Sequence, residues 1–138
     1  MDMLLLLVLG WALALLFINM ARLNPVMEQS ILAAGLVVAA TIYLVLASFT
    51  GSPVWIAIES AGLLGYGLLA LLGVQVSPWW LVLGWIAHPV WDIYFHWLNA
   101  GALFVPGAYV VICLSFDVMI AAYVAGRQLE LISSNAEA

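Results

Sequence analysis

The run WWLVLGWIAHPVWDIYFHWL, residues 79–98, is apolar enough to read as one membrane-spanning helix. Yet it holds both histidines of the chain, His88 and His96, and an acid, Asp92. A bilayer core takes about 20 mostly apolar residues per helix, and ionisable groups inside it are costly and mark sites or pathways. This one stretch therefore fixes the class of the fold and poses the functional question. On a helix, residues i, i+4 and i+8 share a face with about 40° of drift per step. His88, Asp92 and His96 are thus expected to form one stripe, with Phe95 and Asn99 beside it. Pro89 removes an N–H and frees the carbonyl of Trp85, so a kink is expected there.

Outward from this stretch the chain repeats the same theme. Of its 138 residues, 68% are hydrophobic and 7% charged, where a soluble domain is about half apolar and about a quarter charged. Four further runs qualify as spans: about 3–21, 26–49, 54–73 and 107–126. The connectors RLNP, TGSP, VQVSP and NAGALFVP carry prolines at or just before helix starts, where a missing N–H costs nothing. The expectation is an all-α, polytopic membrane protein: a bundle of five transmembrane helices in one domain over residues 1–127, with a polar cytoplasmic tail over 128–138 read as a frayed helix end. The first run lacks a positive leader and exceeds a usual signal-peptide core, so it is read as a retained helix. Arg22 and Arg127 are the only basic residues and fall on the same side of a five-span chain. Basic residues stay cytoplasmic, which places the N-terminus outside and the C-terminus inside.

Several function classes drop out. Two arginines make no basic footprint for nucleic acid and no polybasic lipid anchor. Cys113 is alone, so no internal disulfide forms. No Walker loop, metal-finger spacing or dinucleotide glycine fingerprint is present.

Two other helices carry acids: Glu59 on the third, with Tyr66 two turns on, and Asp117 on the fifth, with Cys113 one turn before it. At about 1.5 Å of rise per residue, Glu59 and Asp92 fall about 8 and 9 Å below the outer ends of their helices, and His88 and Asp117 both fall near 15 Å. Three helices thus bring acids and histidines to matching depths. The site expected is Glu59, His88, Asp92 and Asp117, with His96, Tyr66, Cys113 and Trp91 as secondary members. With no Lys or Arg at that depth, it suits a proton, a metal cation, an amine or a neutral apolar molecule, not phosphate or carboxylate. His88 with Asp92, joined by Asp117 or Glu59, makes a set that suits zinc, iron or manganese. Alternatively an aspartate orients a histidine for acid/base work. His88 and His96 lie about 12 Å apart along the helix and are not expected to share an ion.

The pattern G-W-x-x-H-x-x-W-D-x-x-x-H, here Gly84, Trp85, His88, Trp91, Asp92 and His96, resembles that of a family of small uncharacterised bacterial integral membrane proteins. The resemblance runs over residues 55–125 and takes in Glu59 before the motif and Asp117 after it. Where the family pattern has two adjacent histidines, this chain has Phe95 and His96. The resemblance implies a bacterial inner-membrane protein and carries no activity with it.

Three readings follow. The first is a membrane-embedded enzyme, metal-dependent or acid/base, acting on a lipophilic uncharged substrate. The second is a proton or cation transporter or channel. The third is a structural or accessory subunit in which the polar groups only join helices. The expected partners are the lipid bilayer and a lipophilic small molecule or cation. The small-residue faces, Ala33, Ala34, Gly35, Ala39 and Ala40 on helix 2 and Gly62, Gly65 and Gly67 on helix 3, are expected to serve either as contacts between helices or as the seam of a homo-oligomer.

Overall fold

The computed structural model describes residues 2–136. It is all-helical, and no strand occurs among the described residues. Five helices follow one another: α1 (Met3–Arg22), α2 (Glu28–Ser48), α3 (Pro53–Gln75), α4 (Pro78–Trp91) and α5 (Gly107–Ala136). Proline opens α3 and α4, and Ser52 and Ser77 accept the first-turn N–H groups of Trp55 and Trp79. These serines satisfy donors that a helix start leaves free.

Four helices, α1, α2, α3 and α5, are long and apolar enough to cross a membrane. The fourth departs from the expected continuous α-helix. After Trp91 it widens into a π-helical turn, Asp92–Trp97, in which the Leu98 N–H donates to the Ile93 carbonyl five residues back. Pro89 sits three residues before the change, and π-turns of this kind concentrate at functional sites. A short 3-10 turn, Ala100–Leu103, then leads to α5. At the C-terminus α5 continues past Arg127 through Ala136, so the polar stretch read as a helix end is helical; residues 137–138 lie outside the described residues.

Sequence neighbours do not all pack together. The main contacts are α2 with α3, α3 with α4, and α1 and α4 with α5. Gly10 of α1 seats against Ser115 and the Ile112 carbonyl of α5, where a Cβ would overlap both. The apolar core gathers around Trp85, Leu81, Leu36 and Ile120. The outer surface is equally apolar, with Leu4, Leu16, Leu64, Leu68 and Val90 exposed. Charge is distributed the other way: Glu59, His88, Asp92, His96 and Asp117 are all buried. That inversion is what a lipid-facing bundle with an internal polar site requires.

The small-residue faces divide. Gly62 lies against Trp91, and Gly35 against Phe17 and Trp85, so both are contacts within the bundle. Gly65 and Gly67 have open space where a side chain would sit.

Candidate functional site

Two polar clusters lie in the half of the bundle nearer the 50–52 and 99–106 connections. The inner one joins α2, α4, the π-turn and α5. His88 Nδ1 lies 2.8 Å from Asp117 Oδ2 and 3.7 Å from Asp92 Oδ2. Tyr43 of α2 donates its hydroxyl to Asp92 Oδ2 at 2.6 Å. All four side chains are essentially sealed, with at most 1% exposure. One potential ligand atom from each of His88, Asp92 and Asp117 falls within 4.8 Å of the other two. Asp92 Oδ1 has no hydrogen-bond partner. Leaving a buried acceptor unmet costs about 1–3 kcal/mol, so this oxygen marks where a further group fits.

Aromatic rings fix the histidine. Tyr43 and Tyr66 both meet His88 edge-on, with centroids 5.5 and 5.0 Å away. The Tyr66 hydroxyl is spent on the Ala87 carbonyl at 3.3 Å, on the turn that Pro89 disturbs. Cys113 is buried on α5 one turn before Asp117, outside the three-residue ligand group.

The outer cluster pairs Glu59 of α3 with His96 of the π-turn. His96 Nε2 is 3.3 Å from Glu59 Oε1. The angle misses that of a hydrogen bond, and both atoms lack a partner by that measure. Trp91 Nε1 donates to Glu59 Oε2 at 3.4 Å. Tyr43 joins the two clusters: its ring stacks on His96 with centroids 4.5 Å apart and planes 15° from parallel, while its hydroxyl holds Asp92.

The eight residues read from the sequence thus separate by place. His88, Asp92 and Asp117 converge, with Tyr66 and Cys113 beside them. Glu59 lies with His96 and Trp91 and is not in the ligand group with the other three. Asn99, expected beside the stripe, is exposed and donates to the Tyr94 carbonyl instead. Glu28 at the other end of the bundle accepts from Tyr123. Sequence reasoning missed Tyr43. Its signal was there: five residues from the end of α2, it lies about 7.5 Å deep, close to the depth worked out for Asp92.

Fold and site define an all-helical protein of membrane-spanning character with a buried histidine–aspartate cluster. The chain belongs to a family of unknown function, DUF6010, which matches residues 3–128. No curated protein and no solved structure matches it.

Proposed function

We propose that the chain is a multi-pass protein of a bacterial cytoplasmic membrane, with five spans, its N-terminus outside and its C-terminus in the cytoplasm. In this reading it is a membrane-embedded enzyme whose His88, Asp92 and Asp117 bind a divalent metal ion and act on a lipophilic, uncharged substrate. The π-turn completes the fourth span, since α4 and the turn together run from Pro78 to Trp97. Arg22 and Arg127 support the orientation.

One observation carries the reading. Three potential ligands, two of them carboxylates, converge within 4.8 Å in the buried interior, and one carboxylate oxygen there is unmet. Two carboxylates and one imidazole balance a dication, which lowers the cost of holding charge away from water. The donor set suits zinc, iron(II) or manganese(II). When bound, such an ion supplies Lewis-acid polarisation or a low-pKa water. Tyr43 fixes the Asp92 carboxylate by hydrogen bond, and the flanking tyrosines fix the His88 ring, as second-layer partners do in metal sites.

The test is metal analysis of protein purified in lipid nanodiscs without chelator, followed by titration of the apo form with zinc, iron(II) and manganese(II). About one ion per chain is expected, lost in Asp92→Asn and Asp117→Asn. A wild-type chain that takes up none of the three removes the metal form. It leaves acid/base chemistry, in which Asp117 orients His88 through their 2.8 Å contact.

A second reading is proton or cation movement. It is favoured by the continuation of polar groups from the three-residue cluster outward through Tyr43 to His96 and Glu59. Liposomes holding the protein and showing no pH- or cation-driven flux would exclude it. Gly65 and Gly67, which face open space, are the positions through which a homo-oligomer would form in either case.

A further inference from the structure

The outer cluster holds three of the buried polar atoms that lack a hydrogen-bond partner: Glu59 Oε1, His96 Nδ1 and His96 Nε2. Such groups are normally met by protein or ordered water, and each exception calls for a guest or a role. The two side chains are 3% and 1% exposed, so bulk solvent does not meet them.

Their chemistry limits what the guest can be. The pair offers a carboxylate acceptor and an imidazole, which in its neutral form gives one donor and one acceptor. A hydroxyl matches both: it donates to Glu59 Oε1 and accepts from the imidazole N–H. Oε1 and Nε2 face each other at 3.3 Å, misaligned for a direct bond, so an entering hydroxyl takes up both at about 2.8 Å as the pair parts around it. A metal ion is a poor match, because only two ligands are present and the one three-ligand group among the described residues is the inner cluster.

The walls are apolar and tight. Tyr43 stacks on one face of His96, with Trp55 and Phe104 around the ring. Gly101 brings its backbone against the ring so closely that a Cβ would overlap Nδ1 and the Phe95 carbonyl oxygen. A guest here presents one hydroxyl to the pair and hydrocarbon, or nothing, to the rest.

We infer that Glu59 and His96 form a hydroxyl-binding site, separate from the His88–Asp92–Asp117 cluster, that holds a reactant's O–H: either water or a lipophilic alcohol. This rests on the enzyme reading only in calling the guest a reactant. Tyr43 sets the two sites side by side, since one side chain touches both.

The test uses full-length protein in nanodiscs with ¹⁵N-labelled histidine, the His96 signals assigned with His96→Phe, which keeps a ring on Tyr43. The probes are 1-dodecanol, dodecane, dodecylamine and dodecanoic acid, together with magnetisation transfer from water to the His96 ring. Saturable shifts of the His96 signals with dodecanol alone, weakened about tenfold in Glu59→Gln, identify a lipophilic alcohol. Transfer from a long-lived water to the ring, lost in Glu59→Leu and without any dodecanol effect, identifies water. Preference for dodecylamine or dodecanoic acid overturns the proposal, as does the absence of both the dodecanol shift and the water transfer. Thermal unfolding of each variant shows that it is folded, and Glu59→Asp replaces any that is not. Metal content measured on the same sample keeps the two readings apart: hydroxyl binding without metal removes the metal centre and leaves this site standing.

Discussion

Replacing Tyr43 by phenylalanine deletes a single oxygen and isolates the bond that ties α2 to the π-turn. The hydroxyl lies 2.6 Å from Asp92 Oδ2, and both residues are at most 1% exposed. Both are sealed from bulk solvent, so no exposed water stands ready to replace the lost donor. Asp92 then keeps only His88, at 3.7 Å, on that oxygen, with its other oxygen already unmet. Hydrogen bonds to charged groups contribute about 1.5–3 kcal/mol in proteins, while polar interactions between membrane helices average about 0.6 and reach about 1.7. Complete burial places this bond at the top of the membrane range, so Tyr43→Phe should destabilise by about 1.5 kcal/mol. The ring, and its stacking on His96, are retained. Equilibrium unfolding in mixed micelles, followed by tryptophan fluorescence, measures the loss. A double-mutant cycle with Asp92→Asn separates the bond from other effects and should give a coupling of about 1 kcal/mol or more. A single-variant change below about 0.3 kcal/mol with no coupling would show that the contact does not exist in the folded protein.

Further outcomes follow from the same geometry. Gly101→Ala drives a methyl into His96 and the Phe95 carbonyl and should destabilise by about 1–3 kcal/mol, whereas Gly65→Ala meets nothing and should be neutral or slightly stabilising; thermal unfolding of the two side by side decides. Gly10→Ala should loosen α1 from α5, since its Cβ would strike the Ile112 backbone, and protease sensitivity of α1 reports it. Metal at about a hundred times its dissociation constant should stabilise the wild type by about 2.7 kcal/mol and Asp117→Asn hardly at all, read from unfolding curves with and without chelator. In a Cys113→Ala background, cysteine at Ser52 should react with an impermeant reagent on intact cells and cysteine at Gln128 should not; the reverse pattern would invert the proposed orientation.

Most of the helical layout was legible because the bilayer imposes a length and a composition that sequence displays directly. The starts of α3 and α4 followed from Pro53 and Pro78, each next to a capping serine. The π-turn was not legible. Pro89 signals a disturbance, but whether the chain kinks or widens depends on what Asp92 and His96 meet across the bundle. Depth counting along each helix brought His88 and Asp117 to one level, and they lie 2.8 Å apart. It also grouped Glu59 with Asp92, yet Glu59 faces His96. Depth fixes the level of a residue along the bundle and leaves its direction round the helix open, and that direction separates the two clusters. Tyr43 carries no charge to single it out among apolar neighbours, yet a phenol in an apolar helix has the same need for a partner as an acid or a histidine.

In the proposed function His88, Asp92 and Asp117 act together on one cation. Pulsed electron paramagnetic resonance of manganese(II) bound to the nanodisc-embedded protein reads the ligands directly. The expected result is coupling to one histidine nitrogen, abolished by His88→Gln and unchanged by His96→Phe. Coupling that survives loss of His88, or vanishes with His96, would place the ion elsewhere and refute the proposed metal centre.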